Sequence, residues 1–148
     1  MSAEEETFLA AFRGDFRGVL RWENLAGLWE AVRARGSDAP WYIYAVGEPP
    51  PSEPAAAADL EGFLAEVDRL LRAEHQESYC GVVYADDLER PSLVKIYDPN
   101  HLGSVCGPGL GPPPLPGWVL STRPPVDLEA AMAPPANRRR WWRRLFGG

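Results

Sequence analysis

Residues 55–75 carry the helical pattern that most limits what this chain can fold into. Apolar side chains recur there every three or four residues, which places them on one face of an α-helix. They are Leu60, Phe63, Leu64, Val67, Leu70 and Leu71. The opposite face is charged and holds Glu61, Asp68, Arg69 and Arg72. Such a helix cannot bury its apolar face alone, so the pattern predicts a layer of strands or helices packed against it.

Two further helical patterns precede this segment, over residues 3–20 and 24–35. In the first, phenylalanines recur every four residues, at Phe8, Phe12 and Phe16, with Leu9 and Leu20 nearby. Gly14 and Gly18 weaken this helix. The second has its apolar stripe at Leu25, Leu28, Trp29 and Val32. We expect Asn24 to cap its start and Gly36 to stand just past its end.

Four short segments have the composition of β-strands: residues 41–46, 77–85, 92–98 and 118–122. The first is apolar on both alternating faces, which favours a central, covered strand. Its link through the 55–75 helix to the second strand suits a right-handed crossover between parallel strands. The last three strands suit an antiparallel meander, with Asp86 and Asp87 as turn residues. The order α-α-β-α-β-β-β thus predicts an α/β (α+β) fold with a small mixed four-stranded sheet and helices packed on it.

The domain organisation follows from length and local composition. A chain of 148 residues fits one domain. We expect a compact α/β domain over residues 1–122 and a Pro/Ala-rich linker over residues 123–136, with one short helical turn at 127–132. Residues 137–148 form a separate basic and aromatic tail, expected to be disordered.

The tail, NRRRWWRRLFGG, differs sharply from the rest of the chain. It holds five arginines and no acidic residue, whereas residues 1–136 hold 10 basic and 21 acidic residues. On a helix, one side would carry Trp141, Trp142, Leu145 and Phe146, and the other Arg139, Arg140, Arg143 and Arg144. This pattern is typical of a short interfacial helix, so residues 138–146 are predicted to dock to an anionic membrane surface or to a partner protein. The acidic body disfavours nucleic acid as a partner.

Location is predicted from what the chain carries at its start and along its length. The opening MSAEEETF is acidic and lacks the apolar core of a secretory signal. The apolar runs are far shorter than the ~20 residues that span a bilayer. We therefore expect a cytoplasmic protein, held through its tail at the inner face of the membrane. The basic residues are nearly all arginine, which suggests a bacterial genome rich in GC.

The loop 98–117, DPNHLGSVCGPGLGPPPLPG, is the predicted functional surface of the body. Loops of this length in compact domains are often functional, and its glycines let backbone approach a ligand closely. Its candidate binding residues are Asp98, Asn100, His101 and Cys106. Asp98 and Pro99 also make an ordinary turn, so part of the motif needs no ligand to explain it.

Two chemical alternatives remain open for this loop. Cys106 with His101 could form an activated thiolate, since a nearby imidazolium stabilises that form. Cys80, His101 and Cys106, with His75 near the end of the long helix, could ligate zinc if the fold gathers them. No CxxC or HxxxH spacing supports the metal. Cys80 in a strand is better explained as a small buried apolar residue.

These observations favour an accessory protein over an enzyme. The sequence has no GxxxxGK[ST], GxSxG or HExxH motif, and no cofactor is expected. We predict a non-enzymatic interaction module that binds a protein partner through the 98–117 loop and uses its tail for docking. The alternative is a thiol- or metal-dependent enzyme built on Cys106 and His101.

Overall fold

A five-stranded antiparallel sheet between helices forms the middle of the protein, an α+β fold. The computed structural model describes residues 3–74, 80–99 and 115–131. The helices are α1 (Ala3–Phe12), α2 (Trp22–Gly36), α3 (Ala57–Glu74) and α4 (Leu128–Ala131). The strands are β1 (Arg17–Gly18), β2 (Tyr42–Ala45), β3 (Val83–Ala85), β4 (Leu93–Ile96) and β5 (Trp118–Ser121).

The strand order is β1-β3-β4-β5-β2, and every neighbouring pair is antiparallel. The predicted meander of β3, β4 and β5 is confirmed. The prediction of a mixed four-stranded sheet is wrong in strand number and direction, because β1 adds a fifth strand and β2 pairs antiparallel with β5. No parallel crossover therefore joins β2 to β3. The apolar character of β2 on both faces reflects its covered faces and not a central position, since it lies at one edge.

The first helix is shorter than the sequence predicts, and the strand β1 follows it. The Gly14 amide donates to the Ala11 carbonyl at 3.1 Å, a tight turn that closes the helix after Phe12. The chain then extends, and the Val19 amide donates to the Val83 carbonyl at 2.8 Å. The prediction of one helix over residues 3–20 is therefore wrong beyond residue 12. Glycine at the break costs a helix about 1 kcal/mol relative to alanine, and sheet pairing replaces the lost helical bonds.

The boundaries of α2 also shift outward. Its N-cap is Arg21, which makes no side-chain capping bond, so Asn24 is not the cap. Gly36 is the last helical residue and not the one beyond it, because Ser37 bonds back to the Ala34 carbonyl and closes the helix.

Two apolar layers lie on opposite faces of the sheet because neighbouring residues of a strand point to opposite sides. In β4, Val94 and Ile96 face the layer formed by α2 and α3, while Leu93 faces the layer formed by α1 and α4. The first layer buries the helical residues Leu25, Leu28, Trp29, Val32, Leu60, Leu64, Val67 and Leu71. The second buries Phe8, Leu9, Phe12 and Leu128.

Polar bonds fix α2 against α3 above the first layer. The Trp29 indole Nε1 donates to Asp68 Oδ1 at 3.0 Å, and Arg72 Nε donates to Asp68 Oδ2 at 2.9 Å. The Arg72 guanidinium also lies 5.3 Å from the centre of the Trp22 ring. The charged face predicted for residues 55–75 is therefore partly a contact surface for α2.

The segment predicted as a linker begins with residues that pack on the sheet. Leu128 is fully buried, and its amide donates to the Tyr44 hydroxyl at 2.9 Å. The helical turn predicted at 127–132 is present as α4. Burial raises the pKa of Tyr44, so its hydroxyl stays neutral and accepts this bond across the ordinary pH range. No helix in the described part of the chain is both long and apolar enough to cross a membrane.

Replacing Tyr44 by Phe is expected to destabilise the fold by about 1–3 kcal/mol, because the buried Leu128 amide loses its acceptor. Urea denaturation measures the change. Tyr42→Phe is the control on the same strand, since Tyr42 is only half-buried, and we expect a change within about 0.5 kcal/mol. Equal losses in both variants would contradict the role of this hydrogen bond.

Candidate functional site

An open groove of about 660 Å³ lies between β1, the first half of α2 and the turn that joins β3 to β4. Its lining residues are Gly18, Val19, Leu20, Arg21, Glu23, Asn24, Gly27, Leu28, Ala31, Leu88 and Glu89. The floor is mainly apolar, and the charged side chains lie at the rim. An apolar centre with a polar rim is the usual composition of a binding surface.

Leu20 is the most unusual side chain of the groove. It is 66% exposed, although the other large apolar residues in the described segments are at least half-buried. The Leu20 carbonyl accepts a 2.8 Å bond from the Cys80 amide, which holds the backbone against the sheet. The side chain is thus presented to solvent by a fixed backbone. A leucine held in water loses the free energy of burial, which is about 1.5–3 kcal/mol for a side chain of this size.

Small residues on α2 keep the groove open. Gly27 and Ala31 are one helical turn apart, so they lie on the same face of the helix. An added Cβ at Gly27 would meet no atom within 4 Å. Larger side chains at these two positions would occupy the space that the groove now leaves empty.

The outer wall is a turn that is fixed by two carboxylates. Asp86 Oδ1 accepts bonds from the amides of Asp87, Ser92 and Leu93. Asp87 Oδ1 accepts bonds from the amides of Glu89 and Arg90, which lowers the pKa of Asp87. Both residues therefore act as turn residues, as the sequence predicts, and they hold Leu88 and Glu89 at the groove.

The strand β1 offers backbone groups along the open side. Both backbone groups of Val19 face β3, since its amide bonds Val83 and its carbonyl accepts from Gly81. Adjacent residues of a strand direct their backbone groups to opposite sides, so the N–H and C=O of Gly18 point away from β3. Such an edge is a template for pairing with another extended segment.

The residues predicted as the functional surface lie mostly outside the described part of the chain. Asn100, His101 and Cys106 belong to the undescribed range 100–114, and the tail residues Arg139 to Arg144 belong to 132–148. Asp98 is half-buried, and its Cβ would lie 3.3 Å from a Cβ added at Gly117. The structure thus places Asp98 next to β5, away from the residues that line the groove.

Cys80 is a buried thiol and not part of an exposed cluster. It is fully buried in the layer under α2 and α3, and burial raises the pKa of its thiol. Its three proposed partners for zinc, His75, His101 and Cys106, lie outside the described residues. Within residues 3–74, 80–99 and 115–131, no group of three metal-ligating side chains occurs.

Sequence reasoning missed the groove because it placed Leu20 and Gly18 in a helix. The available signal was the pair of small residues, Gly27 and Ala31, on the side of α2 next to its apolar stripe. That signal does not reveal a groove without the position of β1.

No protein-family model, curated protein sequence or solved structure matches the chain.

Replacing Gly27 by Ala is expected to stabilise the protein by about 0.5–1 kcal/mol, because alanine favours a helix and the added methyl group meets no atom. Gly62→Ala is the matched variant on α3, where an added Cβ also meets no atom within 4 Å. Thermal and urea denaturation should show similar gains in both. A loss in Gly27→Ala alone would contradict the open geometry of the groove.

Proposed function

We propose that this protein is an interaction module whose groove binds an extended segment of a partner protein. The observation that carries the proposal is an exposed leucine on a fixed backbone beside a strand edge that no described strand pairs with. The segment would add to β1 as a further antiparallel or parallel strand, which is a common mode of peptide recognition. It would place alternate side chains against Leu20 and the small residues of α2.

The charges of the rim limit the composition of this segment. Arg21 and Glu23 form an exposed ion pair at 3.6 Å, which leaves Glu89 as a further negative charge on the opposite wall. A segment with alternating apolar residues and a basic residue near the β3–β4 turn would suit this arrangement. Exposed ion pairs contribute at most about 1 kcal/mol, so the apolar contacts would supply most of the affinity.

The basic and aromatic tail has a separate role in this proposal. Residues 138–146 would hold the protein at an anionic membrane surface, where the arginines meet lipid headgroups and the tryptophans enter the interface. The partner would then be a protein that is found at the same surface. The binding role of Asp98, Asn100, His101 and Cys106 stays a prediction from sequence.

A displayed library of random linear peptides tests the groove with the full-length protein. We expect enriched peptides with alternating apolar residues, and binding that weakens at least about tenfold in Gly27→Trp, since losing a few apolar contacts costs on the order of 1.4 kcal/mol. Gly62→Trp is the matched control and should bind like the wild type, because Gly62 lies on α3, outside the groove.

Three outcomes would contradict the groove as a peptide site. They are no enrichment, enriched peptides without apolar alternation, and equal binding by Gly27→Trp and the wild type. Pairing of β1 with a second copy of the chain is a different explanation for the open edge. Light scattering of the wild type and of Leu20→Glu at several concentrations separates it, because only self-pairing predicts a dimer that Leu20→Glu abolishes.

Flotation with liposomes tests the tail. We expect the full-length protein to float with vesicles that contain anionic lipid and to be released by salt, because charge attraction near a lipid surface is screened. A variant with Trp141 and Trp142 replaced by Ser keeps the charge and should float less. Flotation with neutral vesicles alone, or none with anionic vesicles, would show that the tail does not anchor the protein at an anionic membrane surface.

A further inference from the structure

Lys95 is the only lysine of the chain, and it lies in a confined place on β4. Its Nζ atom is 4.1 Å from the centre of the Phe12 ring and 3.9 Å from that of Phe16. The residue is half-buried. The charged end of the side chain is therefore held between two aromatic faces on the layer that contains α1.

The ammonium has no carboxylate partner in the described part of the chain. The ion pairs between described residues are formed by arginines, and Lys95 is in none of them. Two ring faces stabilise the charge instead. Burial acts in the opposite direction and lowers the pKa of Lys95. The neutral amine is the nucleophilic form. Deprotonation to this form therefore costs less free energy in Lys95 than in a lysine paired with an acid.

Two neighbours of Lys95, Phe16 and Tyr84, connect it to β1 and so to the groove. Phe16 immediately precedes β1, so the contact with Lys95 fixes the chain where the strand begins. Tyr84 on β3 lies opposite Lys95 in one strand pair and opposite Gly18 in the other. A Cβ added at Gly18 would approach the Tyr84 ring to 3.0 Å, so β1 rests closely on that ring. Lys95 thus contacts Phe16 and lies opposite Tyr84, and both of these residues adjoin β1.

We propose that Lys95 is a modification site for an activated acyl group, and that its acylation loosens β1 and thereby weakens binding at the groove. The second half of this proposal rests on the proposed function. The neutral Nζ attacks the acyl carbon of a thioester or an acyl phosphate, and a C–N bond forms. The C–S or C–O bond to the leaving group breaks, the thiolate or phosphate leaves with the electron pair, and the amine proton passes to solvent.

The product explains the effect on β1. An amide nitrogen carries no charge, so the contact with the two ring faces loses its electrostatic attraction. The added acyl group must also find room between Phe12 and Phe16. Phe16 is only half-buried, so it is the residue that can move, and its movement releases the start of β1.

Acyl transfer is tested on the full-length protein with two probes, acetyl phosphate and the acetyl thioester of N-acetylcysteamine. Intact mass counts the acetyl groups, and peptide mapping assigns them to Lys95, the only lysine, or to the N-terminal amine and the thiols. With at least one probe, we expect the folded protein to be acetylated at a rate no lower than that of N-acetyl-lysine amide. The probe that reacts identifies the class of acyl donor. Reaction only after unfolding in urea would overturn the site.

The effect on β1 is tested by hydrogen exchange, which needs no bound peptide. The Val19 amide reports the pairing of β1 with β3, and the Thr122 amide, which donates to the Ser92 carbonyl at 3.0 Å, reports the pairing of β4 with β5. We expect Val19 to exchange at least about tenfold faster in acetylated protein and in Lys95→Gln, and Lys95→Arg, which keeps the charge, to match the wild type.

Equal exchange at Val19 in acetylated, Lys95→Gln and wild-type protein would overturn the coupling. Faster exchange at Thr122 as well would show general unfolding and overturn it too. If the Val19 amide exchanges faster after acetylation while no library peptide binds the wild type, the proposed function fails and the acylation site stands. If peptides bind but acetylation changes neither exchange nor affinity, the groove stands and this inference fails.

Discussion

The structure depends on the antiparallel pairing of β4 and β5, because these two strands are buried on both faces. Val94, Ile96 and Leu120 lie under α2 and α3, and Leu93 and Val119 lie under α1 and α4. All five side chains are fully buried. A shift of this pairing by one residue would exchange the two sets of side chains between the faces, so both layers of helices depend on one register.

The open groove is a consequence of how the sheet ends. β1 is only two residues long, and β3 is its one partner among the described strands, so no described strand lies on the other side of its backbone. The helix α2 stands beside this edge and presents Gly27 and Ala31 where larger residues would close the gap. A short strand normally protects a sheet edge from association. Here the exposed Leu20 adds an apolar side chain to that edge, which favours a selective contact.

Charge has different functions in the two layers. Over α2 and α3, the carboxylate of Asp68 accepts bonds from Trp29 and Arg72 and joins the helices. Under α1, the ammonium of Lys95 contacts two aromatic rings, and no acid among the described residues pairs with it. A charge that depends on ring contacts is sensitive to any change that neutralises it. We therefore infer that neutralising Lys95 would disturb the α1 layer, and with it β1.

The sequence predicted the elements with a strong local pattern. The helix over residues 55–75 is present as Ala57–Glu74, because six apolar residues on one face leave little alternative. The strands around 83–85, 93–96 and 118–121 and the acidic turn between the first two are also as expected. Asp86 and Asp87 act locally, through bonds to amides within seven residues, and local chemistry can be read from sequence.

What the sequence alone determined is therefore the set of amphipathic elements and their turns, and the separate composition of the tail. Only the tertiary structure decided that residues 17–18 form a strand, because two residues gain the free energy of pairing from β3 and not from their own propensity. It also decided that β2 lies at an edge, and that Leu20 faces solvent. The groove and the clamped Lys95 join residues that are distant in sequence, and such contacts exist only once the sheet has brought them together.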